Sequence, residues 1–554
     1  MRKQIGLIFA LAVIIGGAVI TYLYIGPVSP YSTENKLSRE GINLIIDGMW
    51  IEEEGAVYSE NNQPYIDFKV AQKLIDENLS LTEAHSRVYY EMPTPTFKME
   101  SELLTQLIGQ GMKINFLAKK VENRHYIAIE DYAKLLNIGI HYDENYKILN
   151  IWHYKTQDFY GLPKNKMRVR PKPYTLSRSL ATLHSGDSFR ILELGDQWAK
   201  IQMENGLCGY AKKSDFEVSI AENRQSKMLN SPRPDWKEHK FHVTWHQVGK
   251  KTPDLSKESK KEGLDVLCPT WFSLANERGF IVNNASKNYV QTAHDKGYKV
   301  WGLVDNAFNK ELTRKFLRNE EGKENFIKLL AFYAALYDLD GINIDFENIY
   351  YEDRVLLTDF VRELSRYMQG QNTVISMAVT VPGGSADWSQ VFQRKELSAA
   401  VDYMMLMAYD EHWASSPVSG SVASIPWVEK GIQGSLEEIP KEKLVLGVPF
   451  YNRIWEESTV NGKTKVKSKS VSMDKVQAII KDKKLEPTWL PELGQSYVEY
   501  MENGKTYKIW IEDEASIAEK TKLIDKYHLA GIGSWKKGLG LESIWKVIEK
   551  NLNK

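Results

Sequence analysis

The stretch Asp340-Gly341-Ile342-Asn343-Ile344-Asp345-Phe346-Glu347 decides the reading of this chain. Apolar and polar residues alternate through it, the period of a β-strand whose two faces meet different surroundings. Ile342, Ile344 and Phe346 share one face; Asn343, Asp345 and Glu347 share the other. Three polar side chains on a face turned into a purely structural core would each need a partner or water. That face is therefore read as the wall of a reactive site. Asp345 and Glu347 would stand about 6–7 Å apart on one strand and reach a substrate from the same side.

Seven more short apolar strands surround this one, at residues 241–245, 266–268, 300–304, 374–379, 403–409, 444–448 and 531–535, with helical stretches between them. Eight strands alternating with helices predict a C-terminal (β/α)8 TIM barrel over residues 236–554. Such barrels place their reactive groups at the C-terminal ends of the strands, where Asp345 and Glu347 fall. Between the last two strands, residues 456–525 hold the strand-like Tyr497-Val498-Glu499-Tyr500 and Tyr507-Lys508-Ile509-Trp510. They predict a small α+β insertion, a hairpin forming one cleft wall, with Lys463-Thr464-Lys465-Val466-Lys467 as a solvated loop.

The octapeptide resembles the Asp-Gly-x-Asp-x-Asp-x-Glu signature of family 18 glycoside hydrolases, which include chitinases and bacterial N-acetylglucosaminidases. Met407-Ala408-Tyr409-Asp410 is similar to that family's sixth-strand Met-x-Tyr-Asp, and Trp535 to the tryptophan that floors its sugar site. A two-carboxylate glycosidase needs its pair flanking the scissile bond, and this family is a substrate-assisted exception. The resemblance implies that Glu347 protonates the glycosidic oxygen and later serves as base for water. The substrate's own 2-acetamido oxygen would be the nucleophile. Asp345 would accept the acetamide N–H and Tyr409 would hold its carbonyl. Asn343, Asp410, Met407 and Trp535 would line the sugar site, and no cofactor or metal is implied. One position departs from the signature: Asn343 stands where the family has its first inward Asp, though an Asn can still hydrogen-bond Asp345. The Asn-x-Asp-x-Glu form resembles relatives of spore-cortex N-acetylglucosaminidases, which makes peptidoglycan the expected glycan and chitin the alternative. A non-catalytic wall-glycan-binding protein is the alternative from another class, opposed by the intact Glu347 and Tyr409.

The N-terminal side supplies an address. Ile5–Ile25 is uncharged and apolar and as a helix would rise about 31 Å, enough for a bilayer core. Arg2 and Lys3 precede it, so residues 1–26 are read as a single-pass transmembrane signal anchor, with a cleaved signal peptide as the alternative; either reading puts everything beyond outside the cell, at the cell wall. Residues 40–155 carry a weak strand–helix–strand repeat: Tyr65-Ile66-Asp67-Phe68 leads into Val70–Ile75, and Tyr126-Ile127-Ala128-Ile129 into Tyr132–Leu136. The pattern resembles the α+β repeat domain at the N-terminus of copper amine oxidases, although His85, His125 and His141 show no ligand spacing. Residues 165–218 alternate in short stretches divided by Ser185-Gly186-Asp187 and Glu204-Asn205-Gly206, predicting a small β-barrel. The stretch resembles a bacterial SH3-like domain, which implies binding to peptidoglycan peptides. Residues 219–235 read as a linker.

Composition narrows the classes further. With 72 Lys+Arg against 72 Asp+Glu, the 554-residue chain has no global basic field for nucleic acid. Cys208 and Cys268 fall in different expected domains, so neither a disulfide framework nor a cysteine metal site is implied, and both read as small buried hydrophobes. His242 and His246 share one face of the first barrel strand but lack a third ligand. Trp271, Phe272, Trp301 and Trp413 lie near strand ends and could stack on sugars or fill the core. Asp305-Asn306 follows the third strand, close to where substrate would lie.

Overall fold

The structure, a computed structural model, describes residues 28–30, 37–38, 41–82, 86–92, 112–133, 136, 138–153, 158–221, 240–249, 252–369, 371–460 and 463–552. The chain divides into two compact units, one made mainly of residues up to Leu229 and the other mainly of those from Asn230 on.

The second unit is built on eight strands: β1 (Phe241–His246), β2 (Val266–Leu274), β3 (Lys299–Asp305), β4 (Gly341–Asp345), β5 (Val374–Thr380), β6 (Tyr403–Met407), β7 (Leu444–Pro449) and β8 (Gly531–Trp535). Each pairs in parallel with the next, and β8 pairs with β1, so the sheet closes. All eight expected strands are present. Parallel strands covered on both faces read as near-continuous apolar runs, and β1, β4 and β7 are buried along their whole length.

Alternation separates the two faces as the sequence predicts. Phe241, Val243, Trp245, Cys268, Trp301, Leu303, Ala378, Met405 and Val445 fill the barrel interior. Phe346 points outward, its ring 5.8–6.5 Å from those of Phe316, Phe326 and Phe360. These come from helices Lys310–Leu317, Glu320–Tyr337 and Arg354–Gln369. Each such aromatic pair contributes about 1 kcal/mol beyond the area it buries.

The N-terminal ends of the strands are stitched by aspartates. The carboxylates of Asp265, Asp340 and Asp402, which immediately precede β2, β4 and β6, accept the backbone N–H of His242, Val300 and Ile375, each at 2.8 Å. Each clip ties a strand to the one before it.

The insertion after β7 is larger than the expected hairpin. Strands Tyr451–Val460, Lys463–Ser472, Thr488–Leu490, Gln495–Glu502 and Lys505–Ile511 form one five-stranded antiparallel sheet, with helix Met473–Lys483 between the second and third. The lysine run is the start of the second strand, not a loop, and pairs with 456–460. Alternation of Lys and Thr or Val is what an edge strand with one solvated face requires. Val476 of the helix packs on Val498, Ile509 and Ile511. At the base of the sheet, Glu512 is wholly buried with Lys520, which stands 2.9 Å away, and accepts from Gln495 and Ser516. Asn452 bonds the backbone of Glu512 in both directions.

The first unit contains two similar halves. In the first, the hairpin Val57–Glu60/Gln63–Asp67 leads into helix Phe68–Leu74, capped by Asp67 accepting from the Lys69 and Val70 N–H groups, then into the hairpin Leu79–Thr82/Arg87–Met92. In the second, Lys119–Val121/Arg124–Ile127 leads to a 3-10 turn at Ile129–Tyr132, then to Ile138–Asp143/Ile148–His153. Beyond it, Leu136 N–H bonds back to the Tyr132 carbonyl and Ile138 N–H to that of Ala133, each at 2.9 Å. Residues 134–135 lie outside the described residues, as do His85 and most of the expected linker.

Strands Asp158–Pro163, Phe189–Leu194, Trp198–Met203, Cys208–Lys212 and Phe216–Ala221 form an antiparallel sheet, joined through an Arg170–Tyr210 bridge to the pair Met167–Val169/Ala181–Leu183. Ile45 and Ile148 of the repeat share a core with Met167, Val169, Phe189, Ile201 and Phe216. Cys208, only partly buried, is less enclosed than the sequence implied. Among the described residues no helix is long and apolar enough to cross a membrane, and the expected anchor at Ile5–Ile25 lies outside them.

Candidate active site

β4 fits the barrel because of what its neighbours permit. A Cβ on Gly341 would lie 2.4 Å from the Trp301 ring, so only glycine lets that indole fill the interior beside it. Two residues on, Asn343 is 1% exposed and fully engaged: its oxygen accepts from Trp245 Nε1 at 3.0 Å and its nitrogen donates to Ser376 Oγ at 2.9 Å. It supports the site from one layer below instead of bonding Asp345 or lining the sugar pocket. The competing partners are on β1 and β5, too far along the chain to be read from the octapeptide.

Asp345 ends β4, buried at 7% exposure, and its Oδ1 has no hydrogen-bond partner. Burial, followed by the charges of Glu347 and Asp305, pushes its carboxyl well above the usual range. Glu347 lies just past the strand, partly exposed, pushed up to about 7 by burial and then by Asp410 and Asp305. Its backbone is clamped by Asn306, which is completely buried. The Asn306 side chain donates to the Glu347 carbonyl at 2.7 Å, accepts its N–H at 3.1 Å and donates to Thr313 at 2.8 Å. Asn306 therefore anchors the acid through its backbone.

β6 delivers the next two groups. Tyr409 is half-buried, and burial together with Asp345, Tyr451, Glu347 and Asp410 pushes its phenol well above 10, so it stays a neutral donor. Asp410 adopts a left-handed φ of 60°. Its Oδ1 accepts from Arg453 Nη2 at 2.7 Å and from the Tyr451 hydroxyl, both on the first strand of the insertion. No local pattern in the sequence marks Tyr451 and Arg453 as site residues. Met407 and Trp535 are half-buried and pack on the interior cluster, with the Trp535 ring 6.1 Å from and steeply tilted to that of Trp245.

The aromatic candidates sort by burial. Trp271, Phe272 and Trp301 are core, each at most 1% exposed, whereas Trp413 is 53% exposed. Trp388, after β5, is exposed as well and was not singled out by sequence. His242 pairs with Ser534 Oγ at 2.9 Å and His246 with the Tyr289 hydroxyl at 2.8 Å, so the two do not converge. Burial pushes both down to about 3. Among the described residues no group of three His, Cys, Asp or Glu side chains is placed to hold a metal.

A closed parallel barrel with carboxyls gathered at the C-terminal ends of its strands is an arrangement on which a glycosidase can be built. Residues 272–539 match the profile of glycosyl hydrolases family 18, and the chain carries a domain of that family. An uncharacterized glycosylase of Bacillus subtilis is 28% identical over 288 residues, 50% of this chain and 81% of that protein. A cortical fragment-lytic enzyme of the same organism is 26% identical over 260 residues, 46% of this chain and 59% of the relative's length. The fold matches the spore cortex-lytic enzyme of Bacillus megaterium with a TM-score of 0.51 at 18% identity, over 61% of this chain and 77% of that one. It matches a chitinase of Chromobacterium violaceum equally, with a TM-score of 0.51 at 18% identity, over 57% and 99%.

Proposed function

We propose that this protein is a membrane-anchored enzyme acting outside the cell, which cleaves N-acetylglucosaminyl bonds in peptidoglycan by substrate-assisted, retaining catalysis. The observation that carries the reading is the pair Asp345 and Glu347, on one strand end, with both carboxyls raised. A carboxyl that titrates near 7 is protonated often enough at neutral pH to be a general acid. Glu347 donates its proton to the glycosidic oxygen as the C–O bond breaks. The 2-acetamido carbonyl oxygen attacks the anomeric carbon, giving an oxazolinium ion. Asp345, ionised while the proton shared by the pair sits on Glu347, uses its unpartnered oxygen to accept the acetamide N–H and offsets the cationic charge, while the Tyr409 hydroxyl holds the acetamide oxygen in line. Glu347, now ionised, takes a proton from the water that reopens the ring. Trp535 gives the sugar an apolar floor, and Asp410 accepts hydrogen bonds at its rim.

The names of the relatives support wall glycan as substrate, and the residues that resemble an SH3-like module and an anchor would hold the barrel beside it. The test is incubation of the full chain with peptidoglycan and, separately, with chitin oligosaccharides, reading new reducing ends by mass spectrometry beside a Glu347→Gln control. Fragments ending in reducing N-acetylglucosamine from peptidoglycan alone, lost in the control, are the expected result. Cleavage of chitin alone would make it a chitinase, and glycan binding without cleavage of either would make it a wall-glycan-binding protein.

A further inference from the structure

Asp305 has no part in the steps above, yet it ends β3 where Asp345 ends β4. The two strands run in register, Trp301 beside Gly341, Leu303 beside Asn343 and Asp305 beside Asp345. Trp301 and Leu303 belong to the barrel interior, and the two-residue period turns Asp305 to the same side. Neighbouring strands lie about 4.8 Å apart, so the two carboxyls stand side by side in the top layer of the barrel. Asp305 is fixed there: its Oδ1 accepts from Ser273 Oγ on β2 and from the Ala307 N–H at 2.8 Å. The layer below offers no acid, since Asn343 is neutral and bonded at both ends. Asp345, whose buried Oδ1 has no hydrogen-bond partner, therefore has a carboxyl beside it across the strand pair as well as Glu347 at the end of its own strand.

We propose that Asp305 is a positioning residue of the reaction centre, a third carboxyl that, from the neighbouring strand, keeps a proton on the Asp345–Glu347 pair and so holds Glu347 in its acid form. This rests on the function proposed above. Like charges crowded into a layer poor in water disfavour ionisation of all. Glu347 faces Asp410 beyond β6 as well as Asp305, and Asp345 faces Glu347 and Asp305. Asp410 is paired with Arg453, so part of its charge is spent locally. Tyr409 and Cys268 also lie within electrostatic reach of Asp345, and burial keeps both neutral. Asp305 is itself raised by burial, against the lowering effect of its bonds to Ser273 and Ala307.

The test uses the full chain and two variants. Asp305→Asn keeps the shape and both accepted hydrogen bonds and removes only the charge; Asp305→Ala removes all three. For each, kcat/KM is followed against pH, and the Glu347 carboxyl is titrated directly by NMR with isotope-labelled carboxyl carbons. The expected result is a high-pH limb, and a Glu347 titration, displaced downward by about one pH unit in both variants. A displacement in Asp305→Ala only, or in neither, overturns the proposal and leaves Asp305 as a strand-end hydrogen-bond acceptor. A wild-type chain that cleaves no glycan would overturn the proposed function, and the NMR titration would then decide the role of Asp305 by itself.

Discussion

Two aspartates five residues apart, at opposite ends of β4, show how one strand serves both fold and chemistry. Asp340, at the N-terminal end, is surrounded by partners: His294 at 2.7 Å, Lys299 at 3.0 Å and the Val300 N–H at 2.8 Å. Burial would raise its carboxyl, but these contacts overcome it and hold the group below the usual range. Asp345, at the other end, meets burial and like charges, and its carboxyl rises. The residue type is the same, and the sign of the shift reports whether the surroundings were built to satisfy the group or to use it. Asp265 and Asp402 repeat the satisfied arrangement at the lower face.

The comparison can be broken most sharply at Glu347. Glu347→Gln should lower kcat by roughly a thousandfold or more while the variant folds normally; a loss of less than tenfold would remove Glu347 as the acid. Asp345→Asn should lower kcat by about a hundredfold and leave the unfolding midpoint equal to or above that of wild type, because an unpartnered buried carboxyl is lost. Asp340→Asn should do the converse, costing about 2 kcal/mol of stability with kcat unchanged. Its contribution comes from a depressed folded pKa, so it is fully present above the unfolded carboxyl range near 4 and vanishes as pH falls through the folded value. Equal stability of the two proteins at neutral pH would contradict that assignment.

Glu347 carries the opposite linkage. In the unfolded chain it ionises above about 4.5, in the folded one at about 7. Folding stability should therefore decline as pH rises across that interval, and activity should fall as pH rises past 7. Denaturation of wild type and Glu347→Gln at several pH values measures the difference in slope. The smallest effect is expected at Trp413, where Ala should raise KM about threefold by removing an exposed ring and leave kcat alone.

Much of this was legible in the sequence where the information is local. The two-residue period gave the strands of the barrel and set Phe346 against its helices and Asp345 toward the mouth. What escaped depends on distant partners. Asn343 was free to face Asp345 until Trp245, on β1, and Ser376, on β5, claimed both ends of its carboxamide. The clamp of Asn306 on Glu347 spans 41 positions, and the hold of Arg453 on Asp410 spans 43. Trp271 and Trp413 are equivalent as letters near strand ends, and only packing shows one sealed and the other open. The insertion was read as a hairpin because its lysine-rich strand lacks the apolar alternation of the others.

The buried Lys520–Glu512 pair sets a rule for making chimaeras of this barrel. Lys520 sits on helix Glu514–Tyr527, outside the five-stranded sheet that carries Tyr451 and Arg453. Either partner left alone would be a bare charge in a dry interior, costing about 3–5 kcal/mol. A graft of residues 451–512 onto another barrel would thus carry Glu512 without Lys520, whereas one extended through Lys520 would carry the cleft wall together with the footing on which it stands.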